Sequence, residues 1–116
     1  MPVTIRNRTT NGVLAERAAV AHTPLQRMLG LLPRQRLETG EALVIPRCRS
    51  IHTCFMRFPI DAVFLRQGTV VKVVQGMGAF RLAGARGADT VIELPAGTVE
   101  RLSVQAGNQL EMPLSP

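Results

Sequence analysis

The chain of 116 residues has room for one domain and not for two. Its hydrophobic content of 46%, mostly Val, Leu, Ile and Ala, excludes intrinsic disorder, and the absence of Trp and Tyr leaves any stacking on bases or sugars to four Phe. The net charge of +6 comes almost wholly from arginine and favours anionic partners, but the arginines are scattered and no run of five basic residues marks a nucleic-acid tract.

In chain order, residues 3–8 read as a first strand, and Asn11-Gly12 is a hairpin signal leading to a partner strand over residues 13–21. Simple alternation expects Val13, Ala15, Arg17, Ala19 and Ala21 on one face of that strand, with Leu14, Glu16, Ala18 and Val20 on the other. Thr23-Pro24 reads as a helix start, a capping hydroxyl followed by proline at the first helical position. Leu25, Met28, Leu29 and Leu32 follow at helical spacing, and Pro33 ends the run. A helix of barely two turns needs a sheet to dock on. Residues 42–45 form a short apolar strand ended by Pro46, and the polar, basic residues 47–53 read as a loop. Residues 61–66 and 69–75 pair as a second hairpin about Gln67-Gly68, and the glycine-rich residues 76–89 read as an irregular loop. A strand over residues 90–94, a turn at Pro95-Ala96-Gly97, a short helix near residues 98–102 and a last strand over residues 109–112 complete the chain. Many short strands with two short helices imply an α+β fold, mainly antiparallel β, in a curled sheet or partial barrel.

The first six residues contain no apolar signal-peptide core, and no apolar run approaches ~18 residues, so neither a leader nor a membrane span is expected. The expected compartment is the cytoplasm, where two cysteines are expected as thiols.

Several blocks, in order, resemble the domain of unknown function 192 family. They are Arg27-Met28-Leu29-Gly30-Leu31, then Ile51-His52-Thr53, Met56-Arg57-Phe58-Pro59-Ile60-Asp61 and Val63-Phe64-Leu65, then Glu93-Leu94-Pro95-Ala96-Gly97 preceded by Ile92. The likeness covers roughly residues 10–112 and implies a compact β-rich domain without an established activity. Cys54 stands where the family usually has an aromatic residue or glycine, Phe80-Arg81 where Trp-Arg is common, and Gly107-Asn108 where Gly-Asp is usual.

Several constellations bear on chemistry. Cys48, His52 and Cys54 offer two sulfurs and an imidazole within seven residues, the minimum ligand count for a catalytic zinc; the bland reading is two small thiols and a core histidine. The same residues with Asp61 resemble a nucleophile, base and orienting group, though no nucleophile elbow surrounds either cysteine. Asp61 opens an apolar strand and needs partners there. It either lines a pocket with His52, Thr53 and Arg57, or, as favoured, caps backbone N–H groups or pairs with an arginine. Glu93 alternates with Ile92 and Leu94 and is expected to face solvent or a neighbouring arginine; convergence with Asp61 would make an acid–base pair. Gly76-x-Gly78-x-x-Arg81 lacks the third glycine of a dinucleotide fingerprint and reads as a flexible loop able to approach a phosphate or carboxylate.

The leading expectation is a non-enzymatic binding or accessory domain. Its recognition face would come from loop 47–59 and glycine loop 76–89, with His52, Thr53, Arg57, Asp61 and Arg81 as ligand-binding candidates. An anionic ligand or acidic protein partner suits Arg57 and Arg81, and no cofactor is expected. The alternatives are a metal-dependent or cysteine-based enzyme using Cys48, His52, Cys54 and Asp61, and a basic RNA or membrane-surface binder.

Overall fold

Two hairpins and one buried carboxylate organise the chain. The computed structural model of the protein describes residues 3–23, 26, 27, 34 and 36–112. Gln67 and Gly68 both take left-handed backbone angles (φ 50° and 84°) and make the two-residue turn that folds β5 (Ile60–Arg66) onto β6 (Thr69–Met77), with Arg66 opposite Thr69. At the other hairpin, β1 (Val3–Asn7) pairs with β2 (Gly12–Val20) across a turn whose last residue, Asn11, is left-handed (φ 63°). Asn7 Oδ1 accepts the Thr9 and Thr10 N–H groups inside that turn.

These hairpins join β3 (Glu41–Pro46), β8 (Thr90–Pro95) and β9 (Leu110–Glu111) in one seven-stranded sheet of order β6-β5-β8-β3-β2-β1-β9. The β2–β3 pair is parallel and the other pairings are antiparallel. The sheet's two edges meet at one end through a Thr69–Gln109 bridge, with Val70 N–H donating to Asn108 O (2.8 Å) and Leu110 N–H to Gly68 O (2.8 Å). The sheet is thus a curled half-barrel, and the pairing of its edges at this end hides backbone groups that would otherwise be open to other strands.

The expected two-face alternation of residues 13–21 is not what forms. Register shifts between Val3 and Ile5, and between Ile5 and Arg6, put extra residues into β2, so Leu14, Ala15 and Ala18 are buried while Arg17 and Ala19 are exposed. Further shifts in the β5–β6 pair strengthen the curl.

Strand β5 is buried at every position but Arg66, because both of its faces are covered. On the concave side Ile5, Leu14, Val44, Val63, Leu65, Val70, Ile92 and Leu94 pack together, with Val99 and Val104 from the segment after β8. On the other side Ile45, Ile60, Ala62, Phe64 and Val91 are roofed by Ile51 and Met56, with Phe58, Ala83 and Ala85 packed against them. That roof corrects two expectations. Ser50–His52, read as loop, is strand β4, and Leu82–Gly84, within the supposed irregular loop, is strand β7; β6 also runs on to Met77. β4 and β7 pair as a two-stranded ribbon.

Two short helices were expected; among the described residues α1 (Thr98–Arg101) is complete, and Gln26 and Arg27 are helical within the span of the other. Most of the other expected helix, residues 23–33, lies outside the described residues. At its start Thr23 Oγ1 accepts the Gln26 N–H (3.0 Å), while Gln26 Oε1 accepts the His22 and Thr23 N–H groups.

Asp61 is fully buried, and its carboxylate receives three backbone N–H groups: Gly76 on Oδ1 (2.9 Å), and Gly97 (3.0 Å) and Val99 (2.9 Å) on Oδ2. The last two are the N-cap and second residue of α1, where a negative charge is favoured. Gly76 (φ 63°) and Gly97 (φ 95°) are left-handed with open space where a Cβ would stand, so glycine is required there by backbone angle and not by crowding. Replacing Asp61 by Asn keeps the shape but turns an N–H donor toward N–H donors; urea unfolding of Asp61→Asn is expected to show a loss of about 3 kcal/mol, with unchanged far-ultraviolet circular dichroism before the transition.

A laced pair of loops as the candidate functional site

The ribbon pairs Ser50 with Gly84, Ile51 with Ala83 and His52 with Leu82. Beyond His52 the two chains are tied by one buried residue, Thr53. Its N–H donates to Arg81 O (2.9 Å) and its hydroxyl donates to Gly78 O (2.6 Å). The same hydroxyl oxygen accepts the Arg81 N–H (2.8 Å), and Thr53 O accepts the N–H groups of Met56 (3.1 Å) and Phe80 (3.2 Å). One threonine therefore sets the geometry of both turns.

Each turn holds a phenylalanine in the left-handed region, Phe55 at φ 65° and Phe80 at φ 60°. For a bulky side chain this costs about 1–2 kcal/mol per residue. Both rings nevertheless stand in solvent, 72% and 66% exposed, and meet edge to face with centroids 5.4 Å apart. Leu82, on the same end of the ribbon, is 80% exposed. Arg57 and Arg81 are exposed beside them.

The sequence candidates divide accordingly. Thr53 and Arg81 are bonded to each other, and His52 lies on the adjacent strand pair, exposed, its Nδ1 accepting the Cys54 N–H at 3.3 Å. Arg57 is exposed on the turn that follows Thr53. Asp61 is not on this face: it stands opposite Leu94, in the concave side of the sheet, with its oxygens occupied by backbone. Cys48 donates its thiol to Ser50 O (3.1 Å), and burial raises its pKa, which opposes the thiolate a nucleophile requires. Among the described residues no group of three or more His, Cys, Asp and Glu is gathered closely enough to hold a metal ion. Phe55 and Leu82 were not among the sequence candidates. Their signal is slight: apolar residues beside arginine or cysteine that share in no helical or alternating pattern.

Glu93 departs most from expectation. It is only 3% exposed, not solvent-facing, and stands between Ala62 and Leu43 on neighbouring strands. Among the described residues its Oε1 has no hydrogen-bond partner, and burial pushes its pKa up to about 7. Asp61 and Glu93 do not converge, since the residues opposite them, Leu94 and Ala62, belong to opposite faces of the sheet.

The fold and the laced loops define a small β half-barrel domain that displays its exposed apolar and basic residues at one end of an accessory ribbon. The chain belongs to the domain of unknown function 192 family (DUF192), described as uncharacterized ACR, whose sequence model matches residues 5–112. That span reaches further toward the N-terminus than the resemblance in the blocks above and takes in most of β1. A UPF0127 protein of Pyrococcus furiosus is 34% identical over 91 residues, covering 75% of this chain and 78% of that protein. A UPF0127 protein of Thermococcus sibiricus is 26% identical over 110 residues, covering 90% and 71%. The crystal structure of a protein of unknown function from Novosphingobium aromaticivorans superposes with a TM-score of 0.81 at 22% identity, covering 96% of this chain and 84% of that one, a likeness of fold.

Two outcomes check the site's physics. Thr53→Val leaves Gly78 O and Arg81 N–H without their partner. It is expected to lower stability by about 1–3 kcal/mol and to speed amide exchange at Phe80 and Arg81, while exchange in β8 stays unchanged. For Glu93, a pKa of about 7 against 4.5 means that the folded state holds the proton more tightly than the unfolded chain. The contribution of Glu93 to stability is then highest below pH 4.5, falls between pH 4.5 and 7, and stays low above. Glu93→Gln removes this slope, so chemical unfolding at pH 5 and pH 8 is expected to show the variant gaining on the parent by roughly 2–3 kcal/mol.

Proposed function

We propose that this chain is a non-enzymatic binding domain whose recognition face is built from residues 47–59 and 76–89 and whose partner is anionic. The observation that carries the reading is one of charge joined to geometry. These two segments contain Arg47, Arg49, Arg57, Arg81 and Arg86 against one carboxylate, Asp89, whose oxygens accept the Gln67 N–H and the Thr90 hydroxyl, while the other seven acidic residues lie elsewhere. Thr53 holds the two segments as a single surface. Beside the ribbon a surface hollow of about 370 Å³ is lined by Arg49, Ser50, Gly84, Ala85 and Arg86, so the positive charge extends along the whole ribbon. Arginine suits this role because its planar fork meets phosphate or carboxylate oxygens in pairs and stays charged at every physiological pH.

The test separates a site from mere net charge. Arg57→Glu with Arg81→Glu lowers the net charge from +6 to +2, two units for each substitution, and Arg8→Glu with Arg101→Glu lowers it equally. On a heparin column the first pair is expected to elute at clearly lower salt than the second. Equal elution of the two double variants would show that overall charge alone is sensed and would end the reading.

A further inference from the structure

The same face carries a feature that charge does not explain. Among the described residues Phe55, Phe80 and Leu82 are the most exposed of the large hydrophobic residues, at 66–80%, against 38% and 39% for Val13 and Val71. All three stand at one end of the β4–β7 ribbon. Strained left-handed backbone, fixed by Thr53, holds both rings out where packing against the body of the domain would have been the default for apolar side chains. Arg57 and Arg81 flank them in sequence, and no carboxylate lies between residues 47 and 59 or between residues 76 and 88.

We infer that this end of the ribbon docks on an anionic lipid bilayer, with Phe55, Phe80 and Leu82 entering the interfacial zone and Arg57 and Arg81 meeting headgroup phosphates. The inference rests on the reading of residues 47–59 and 76–89 as one anion-recognising face and names its partner. Three considerations select a bilayer. A second copy of the chain would bring like charge against like charge, five arginines to five. A folded acidic protein would need a groove shaped to two projecting rings, whereas a lipid interface takes projecting side chains without a matching shape. Aromatic and aliphatic tips rimmed by basic residues combine burial of apolar area with attraction to anionic headgroups. Docking of this kind is peripheral: no described helix is long and apolar enough to cross a membrane.

The experiment uses the full chain and vesicles of phosphatidylcholine, with or without phosphatidylglycerol. The protein is expected to float with the anionic vesicles and not with the neutral ones. Phe55→Asn, Phe80→Asn and Leu82→Thr together leave the net charge unchanged, and asparagine tolerates the left-handed backbone at both turns, so the variant is expected to fold. Its partition onto anionic vesicles is expected to fall by about tenfold for each ring removed, while its elution from heparin stays at the parent's salt. Because the chain has no Trp or Tyr, Phe80→Trp gives a single indole reporter, whose emission is expected to shift to the blue with anionic vesicles and to stay in place with soluble polyglutamate. Vesicle binding indifferent to the triple substitution, or an unshifted indole on bound protein, would overturn the inference and leave the anionic face standing. Tighter binding to polyglutamate than to vesicles would make the partner an acidic polypeptide and would likewise overturn it. Loss of the difference between the two arginine double variants is a separate failure, that of the face itself.

Discussion

The Asp61 carboxylate is the point on which the rest of the architecture turns. Its three N–H partners come from the end of β6 and from the turn between β8 and α1, so one side chain of β5 ties down the ends of the two strands that flank it. A carboxyl group excluded from water needs such partners, and three hydrogen bonds from rigid backbone supply them. The consequence reaches the surface. Gly76 is held by Asp61, Gly78 two residues later accepts the Thr53 hydroxyl, and Phe80 and Arg81 bond to the same threonine. A buried carboxylate and a buried hydroxyl thus form successive anchors for one stretch of chain, and the position of the exposed rings follows from both. Asp61 serves the ribbon by position and lies on the other side of the sheet from it.

Glu93 shows the reverse arrangement. Both are acidic residues buried on adjacent strands, but one meets three donors and the other, at Oε1, meets none among the described residues. The difference comes from the pleat. Asp61 sits at the start of β5, where the concave face opens onto the unsatisfied N–H groups of a helix start. Glu93 sits within β8, where the opposite face is apolar and its strand neighbours are Leu43 and Ala62. Burial without a donor favours the protonated acid, which is why the Glu93 pKa rises toward neutrality.

Much of the fold is legible from local chemistry. Gln67-Gly68, the apolar strands around it and the glycine-led start of α1 express short-range preferences of the backbone, and the capping role of Asp61 follows from the need of a carboxylate in an apolar strand for donors, here 15 to 38 residues away in sequence. The elements that escape such reading are those whose order comes from distant partners. β4 and β7 are three residues each, contain serine, histidine and glycine, and exist because they lie against one another and against the Ile45, Phe64 and Val91 face. The bulges of β2 have no local signature either, and they are what breaks the alternation from Val13 to Ala21. Glu93 misleads for a related reason: alternation within one strand reports which residues share a face, and only the neighbouring ribbon decides whether that face is wet. Thr53, Arg57 and Arg81 are legible as polar residues outside any core pattern. The rings of Phe55 and Phe80 are not, because apolar residues in short sequences read as core unless the backbone is known to turn them outward.

The energetics of that outward turn bear on what the ribbon does. Two phenylalanines in left-handed conformation give up a few kcal/mol between them, and their exposed rings forgo the stabilisation of about 1.5–3 kcal/mol that burial of each would bring. Marginal stability makes such a loss substantial for a domain of this size. The hydrogen bonds of Thr53 offset part of it, but they tie the chain in the conformation that exposes the rings and do not relieve it. Apolar and electrostatic attraction at the ribbon are individually weak, since a few side chains enter and surface charge is screened within about 8 Å at physiological salt. In the bilayer docking we propose, the two would multiply, because apolar contact would hold the arginines within the distance at which headgroup charge is felt. On that proposal the face would discriminate by requiring both properties of its partner at once, and would release when either is withdrawn.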